Sequence, residues 1–273
     1  MLPYWDAVLR PFLTALDAGP TIEIGAAAGE TTVRLAELAV ETETVLHTVD
    51  PDHQFDVAQV EQRFGAHFCF HRERSHDALH RIGPAAAAIL DGDHNWYTVN
   101  GELKRLREAA LAAGRPFPLV ILHDVEWPYG RRDMYYDLEA IPKQWRKPWD
   151  RRGIRWGRSS LDEEGGGINS RLANAIEEGG PRNGVLTAVE DFLEESEAPA
   201  ELRIVRGGAG IGILASAELL EATPALRREW GRLHSPQFLM EHIQRLSDTA
   251  AHATAALWEA TSAPVRATGQ GLP

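Results

Sequence analysis

The 273-residue chain sets 28 Lys and Arg against 40 Asp and Glu, a formal charge of −12, which argues against wrapping a nucleic acid, since neutralising phosphates needs clustered Lys and Arg. With 44% hydrophobic and 25% charged residues it has the composition of a globular protein of one large domain, and no apolar run reaches the length of a membrane span. The single cysteine, Cys69, sits in the apolar run "HFCF" and reads as a small core residue, not as part of a disulfide framework. No basic n-region followed by an apolar h-region opens the chain, so a cytoplasmic protein is expected.

Trp5, Leu9, Phe12, Leu13 and Leu16 recur at helical spacing and stop at Gly19, predicting a docking helix within 1–20. "TIEI" (Thr21 to Ile24) is a strand, followed by Gly25, Gly29 and three alanines between them, and then by the helix "TTVRLAELAV". This strand, glycine turn and helix fail both phosphate-loop patterns. The dinucleotide fingerprint would need glycine where Ala27 and Glu30 stand, and the Walker pattern would need a Lys after Gly29. Glu30 also puts negative charge where a helix N-terminus would otherwise favour phosphate. A ligand that needs close backbone approach and an acidic neighbour, such as one carrying an ammonium group, suits this loop better.

Further strands are expected at Thr44 to Asp50, at "AHFCFHRE", at "AAAAILDGD" and at "FPLVILHD", with "SHDALHRI" a short helix or turn and "GELKRLREAALAAG" a helix capped by Asn100. Such alternation implies a parallel, doubly wound sheet whose ligand lies at the carboxyl ends of the strands. The polar residues fall at those ends: Glu23 and Gly25, Asp50, Ser75 and His76, Asp91, then His123 and Asp124. From Trp127 to about Asn183 the periodicity dissolves into a Gly-, Trp- and Arg-rich segment too long for an ordinary connection. Between Arg131 and Arg158 nine Lys or Arg face four acids. This stretch is expected to cover the strand ends as part of an acceptor site, with Trp127, Tyr129, Arg131, Arg151, Arg152 and Trp156 as contacts. Its charge would draw in an anionic acceptor, and its tryptophans suit sugar or aromatic rings; pairing of the arginines with the protein's own carboxylates is the alternative. A helix "NGVLTAVEDFLEES", a hairpin "ELRIVRGGAGIGILAS" and a long helix capped by Ser235 complete the pattern.

Taken in order, "EIGAAAGETT", "HTVDP", "ILDGDHNWYTVNGEL", "LVILHDV", "NGVLTAVEDF" and the glycine hairpin resemble class I S-adenosylmethionine-dependent methyltransferases. The resemblance is strongest to bacterial macrocin-type and related sugar or natural-product O-methyltransferases. It implies a Rossmann-like, mostly parallel seven-stranded α/β sheet with a C-terminal antiparallel hairpin, flanked by N-terminal and long C-terminal helices. The corresponding division is a docking helix (1–20), a methyltransferase domain (21–216) with an acceptor-site insertion (127–182), a C-terminal helical segment (217–262) and a tail (263–273). The resemblance also implies that S-adenosylmethionine sits on Glu23, Gly25, Ala27, Gly29 and Thr31, that Asp50 takes its ribose, that Ser75 and His76 line the adenine, and that Asp91 completes the pocket. A carboxylate about 20 residues past the loop independently suits a vicinal diol.

Some relatives of this type hold a divalent cation with an Asp after the fourth strand and an acidic pair after the fifth, and use a His three residues past the first Asp as base. Here that gives Asp91, His123 and Asp124 as ligands of Mg²⁺ or another divalent cation, with His94 and His123 as proton-handling groups. His123 replaces an acid in the pair, and imidazole is a poor match to Mg²⁺; a metal-free site in which His123 and Asp124 bind substrate or each other stands beside it. Asp93 reads as a turn residue or a helper of His94. The function implied is methyl transfer to a hydroxyl of a small, glycosylated or anionic acceptor, by a homo-oligomer that binds neither nucleic acid nor membrane. The alternatives are metal-independent N- or O-methyl transfer, a nicotinamide-dependent reductase or epimerase, and a noncatalytic cofactor-binding protein of the same fold.

Overall fold

The computed structural model describes residues 1–196 and 200–262. A seven-stranded sheet forms its centre, built from β1 (Thr21–Ile24), β2 (Leu46–Val49), β3 (Phe68–His71), β4 (Ala87–Leu90), β5 (Leu119–His123), β9 (Ala200–Val205) and β10 (Ile211–Ser216) in the order β3-β2-β1-β4-β5-β10-β9. The first five are parallel, and β10 runs antiparallel to both β5 and β9. This is the seven-stranded, mostly parallel sheet that the resemblance implies. All side chains of β4 and β10 are buried, as continuous apolar strands covered on both faces must be.

On one face Ile22, Ile24, Leu90, Val120 and Leu122 pack against three helices, α4 (Ser75–Ile82), α5 (Trp96–Ala112) and α6 (Val185–Glu195), through Leu79, Leu103, Leu106, Val189 and Phe192. On the other side of the molecule the N-terminal helical stretch, which ends in α1 (Arg10–Thr14), meets α2 (Glu30–Glu41): Leu13 and Leu16 line one cavity with Leu35, Leu38 and Ala39. Asn95, not Asn100, caps α5, accepting from Thr98 N at 2.9 Å. Asn100 instead donates across to Ala188 O of α6. Helix α3 (Val57–Phe64), capped by Asp56, is an element the periodicity did not reveal.

The irregular insertion is ordered by a second sheet of three very short antiparallel strands, β6 (Met134–Tyr135), β7 (Trp149–Asp150) and β8 (Ala173–Ala175), in the order β6-β8-β7. Strands of this length carry no readable period, and buried polar side chains hold the segment instead. Arg132, 0% exposed, donates to the carbonyls of Ala175, Ile176 and Ser159. Asn174 donates to the carbonyls of Arg152, Asn169 and Leu172. Asp133, also 0% exposed, accepts from Trp96 N at 2.8 Å, Gly184 N at 2.7 Å and Tyr135 Oη at 2.8 Å. It thereby ties the insertion to the N-termini of both α5 and α6.

Met1–Glu229 forms one compact unit and Trp230–Pro273 a second. The first unit ends in helices α7 (Ala217–Ala222) and most of α8 (Pro224–Arg232). The described part of the second contains the 27-residue helix α9 (Pro236–Ser262), capped as expected by Ser235, whose Oγ accepts from Phe238 N. The expected tail, 263–273, lies outside the described residues.

The Asp133 junction makes a quantitative expectation. Asp133→Ala leaves two backbone N–H groups and a phenol without acceptors inside the protein, each worth about 1–3 kcal/mol, so denaturant unfolding should show a loss of about 3 kcal/mol or more. A loss below about 1 kcal/mol would mean that the junction does not hold the insertion.

Candidate active site at the carboxyl ends of the strands

Parallel register sets the site. Ile24 is level with Val49 on one side and with Leu90 on the other, and Leu90 is level with Leu122. The next residue on each strand is therefore Asp50, Gly25, Asp91 or His123, four expected site residues in one line. Gly25 has φ +86°, and a Cβ there would lie 2.3 Å from the Asp91 carbonyl oxygen; only glycine lets the first loop and the end of β4 touch. Gly29, at φ +80°, makes room for the Phe55 ring in the same way. Ala27 is itself left-handed, at φ +45°, and lies exposed on the loop rim with Ala28.

Asp50 faces this loop. Its Oδ2 accepts from Ala26 N at 2.8 Å and Ala27 N at 3.0 Å, and its Oδ1 accepts from Asp52 N. The two N–H groups at the heart of the loop are thus occupied by a carboxylate of the protein, which leaves no nest for a pyrophosphate. Glu23 lies beneath the loop, 1% exposed, accepting from Thr48 Oγ1 at 2.9 Å. Burial pushes its carboxyl up to about 8 against the opposing hydrogen bond of Thr48. Thr31, half-buried, stands in the first turn of α2.

At the ends of β4 and β5 four groups close on one another. His123 Nδ1 lies 2.7 Å from Asp124 Oδ2 and 3.1 Å from Asp91 Oδ1. His94 Nε2 lies 3.0 Å from the same Asp124 oxygen and 3.9 Å from Asp91 Oδ1; the 3.0 Å approach is an ion-pair contact out of line for a hydrogen bond. Asp124 adopts φ +58° to turn its carboxylate inward, a conformation that Asp tolerates better than most residues. The amino group of Met1 stands 3.7 Å from Asp91 Oδ2.

Burial alone would favour the neutral form of every member. For the two carboxylates the imidazoles outweigh it: Asp91 is held down at about 2 and Asp124 lower still. For the imidazoles the carboxylates outweigh it in turn, and His94 rises to about 10 and His123 to about 9. The directions of these shifts favour two carboxylates balanced by two imidazolium ions at neutral pH. One ligand atom from each of Asp91, His123 and Asp124 lies within 4.8 Å of the others, so the same three side chains also have the spacing and donor types of a divalent-cation site.

The other expected residues divide. Tyr129 stacks on His94, centroids 5.3 Å apart and 4° from parallel, held by Asn169 and Asn174 through its hydroxyl. Tyr136 also meets the His94 ring, at 5.9 Å; it sits in the insertion, where the sequence has no periodic pattern to mark it. Trp127 and Trp156 meet edge to face at 5.0 Å in a cleft of ≈ 650 Å³ lined also by Val125, Pro128, Leu186 and Arg206. Ser75 and His76 turn to α5: Ser75 lies beside the buried Glu102, and His76 Nε2 donates to Thr98 O. Asp93 accepts from Thr98 Oγ1 in the first turn of α5, the turn role expected of it.

The arginines are engaged within the protein. Arg131 forms a two-pronged pair with Glu190, Arg152 bonds Asp150, Arg155 bonds Asp162, and Arg151 donates to Arg171 O. Arg131, Arg152 and Arg155 thus pair with the protein's own carboxylates, the alternative to a basic acceptor surface, whereas Arg151 bonds a carbonyl.

Residues 22–125 match a protein family described as a methyltransferase domain, and this matched segment contains the whole line of strand ends. Three solved structures are similar. A 1,6-didemethyltoxoflavin-N1-methyltransferase of Burkholderia thailandensis, bound to 1,6-didemethyltoxoflavin and S-adenosylhomocysteine, is 16% identical over 78% of this chain and 80% of that one, with a TM-score of 0.44. An S-adenosylhomocysteine-bound methyltransferase of Podospora anserina is 13% identical over 76% of each chain, TM-score 0.44. The CcbJ methyltransferase of Streptomyces caelestis is 12% identical over 76% of this chain and 87% of that one, TM-score 0.41. None of these likenesses is close enough to fix a substrate. No curated protein matches the chain.

The Glu23 carboxyl yields a pH signature. Its folded pKa lies above its unfolded value, so its contribution to stability is present in full below about 4.5 and is lost as pH rises through about 8. The unfolding free energy of wild type relative to Glu23→Gln should therefore fall steadily between those limits. A difference that stays flat over that range would show that Glu23 is not buried in the way described.

Proposed function

We propose that this chain transfers the methyl group of S-adenosylmethionine to a hydroxyl of a small sugar-containing or natural-product acceptor. The observation that carries the reading is the coincidence of the segment matching a methyltransferase domain with the line of Asp50, Gly25, Asp91 and His123. The loop suits this cofactor: Asp50 occupies the N–H groups that a pyrophosphate would need, and a cofactor without phosphate does not need them. Asp91 Oδ2, which faces the ammonium of Met1, can face the ammonium of the cofactor's methionine end. The remaining lone pairs of Asp50 are available to ribose hydroxyls.

Bound there, S-adenosylmethionine supplies a methyl group already activated by its sulfonium, so the protein's task is alignment, exclusion of water and removal of one proton. Tyr129 and Tyr136 wall the His94 side of the site. Trp127 Nε1 is buried and has no hydrogen-bond partner among the described residues, which leaves an N–H for an acceptor oxygen. Asp91, His123 and Asp124 would hold a divalent cation, whose charge lowers the pKa of an acceptor hydroxyl. His94, beside Asp124 at the same strand ends, would be the residue to take the hydroxyl proton. A metal-free second reading rests on one observation: His94 and His123 already neutralise Asp91 and Asp124.

Transfer of label from S-adenosylmethionine to a panel of hydroxyl and amine acceptors, with chelator and with Mg²⁺ or Mn²⁺ restored, tests the proposal. Transfer to hydroxyls that falls on chelation and returns with the ion is the expected result, as is a drop of about 100-fold or more in kcat for Asp124→Asn. Full activity in a verified ion-free preparation would select the metal-free reading. Transfer confined to amines would overturn O-methylation, and absence of transfer together with absence of S-adenosylhomocysteine binding would overturn the function.

A further inference from the structure

On the outer strands of the sheet, away from the strand-end cluster, three side chains of ligand type meet. Parallel pairing sets Cys69 opposite His47 and His71 opposite Val49, and the period of two along a strand puts His47, Cys69 and His71 on one face. His71 Nε2 lies 3.0 Å from His47 Nδ1 and 3.5 Å from Cys69 Sγ, and one donor atom from each of the three falls within 4.8 Å of the others. A tetrahedral zinc ion with ordinary bond lengths would separate two nitrogens by about 3.3 Å and a nitrogen from a sulfur by about 3.5 Å. The observed spacings match a site of that size. All three residues are half-buried, so a fourth position is open to water.

We propose that His47, Cys69 and His71 bind a divalent ion of the zinc type, at a site distinct from Asp91, His123 and Asp124. Its strand β3 is three strands away from β4, about 14 Å at ordinary strand spacing. One thiolate and two imidazoles form a softer set than two carboxylates and one imidazole, and they select zinc over magnesium. A neighbouring carboxylate points the same way: Glu73 Oε1 lies 3.9 Å from His71 Nδ1, on the side of the ring opposite the three-group contact. A carboxylate behind a ligating imidazole is the arrangement that orients such a ligand. Burial also holds His47 and His71 below the ordinary histidine value. Burial and Glu61 hold the thiol proton on Cys69, so binding forms a metal–sulfur bond and releases that proton to solvent. An ion here would clamp β2 to β3, an edge strand of the sheet.

Cys69 is the sole cysteine of the chain, so a thiolate-to-cobalt absorption band reports on this site alone. The reduced full-length protein, stripped with chelator, is titrated with Co²⁺ and then with Zn²⁺. The expected result is a near-ultraviolet charge-transfer band that Zn²⁺ bleaches, that Cys69→Ser abolishes and that Asp91→Asn/Asp124→Asn retains. His71→Ala should weaken Zn²⁺ binding about tenfold or more in competition with a chromophoric chelator. Folded wild-type protein with no such band overturns the site whatever the variants do, and so does a band that survives in Cys69→Ser.

Discussion

The level ends of β1, β2, β4 and β5 are the constraint from which the rest of the site follows. Because Val49, Ile24, Leu90 and Leu122 share one line, the chain must leave four strands at the same height, and the polar residues that end them crowd together. The backbone solves this crowding first. Gly25 carries no Cβ, so its loop can rest on the Asp91 carbonyl, and Asp50 collects the loop's N–H groups. Electrostatics solves the remainder. Asp91 and Asp124 face the same space from adjacent strands, and two carboxylates so close could not both stay ionised without positive charge beside them. His123, the last residue of β5, and His94, on the loop after β4, supply it.

That balance also explains why the cluster admits a cation reading and a metal-free reading at once. Two imidazolium ions and one divalent ion carry the same charge, so the carboxylates can be satisfied by either. Buried ion pairs of this kind contribute little net stability but define one arrangement strongly, since removal of a partner strands the other charge. The left-handed backbone of Asp124 belongs to the same account: a non-glycine residue held at φ +58° is a local cost that the surroundings must enforce.

The sheet was legible in the sequence because each strand is a short apolar run ending in a polar residue, and Asp50, Gly25, Asp91 and His123 were recognisable as strand ends. The insertion was not. Strands of two or three residues have no period, and Arg132, Asp133 and Asn174 look like surface residues until their buried bonds to backbone are seen. For the same reason the basic excess between Arg131 and Arg158 suggested a surface for anions, whereas Glu190, Asp150 and Asp162 take up much of it. Asn95 and Asn100 are equally good caps in sequence; the bond from Asn100 to α6 decides between them. The apolar neighbours of Cys69 suggest a core residue, but it is half-buried. The strand segments "LHTV" and "FCFH" betray nothing separately, and only the β2–β3 register unites their ligands.

The central claim is that the Gly25 loop, with its N–H groups held by Asp50, receives a phosphate-free sulfonium cofactor and not a dinucleotide. Calorimetric titration of the wild-type protein with S-adenosylhomocysteine and, in parallel, with a nicotinamide dinucleotide tests it most directly. The account predicts saturable binding of S-adenosylhomocysteine and no heat from the dinucleotide. Binding of the dinucleotide, or a folded protein that ignores S-adenosylhomocysteine, would contradict it.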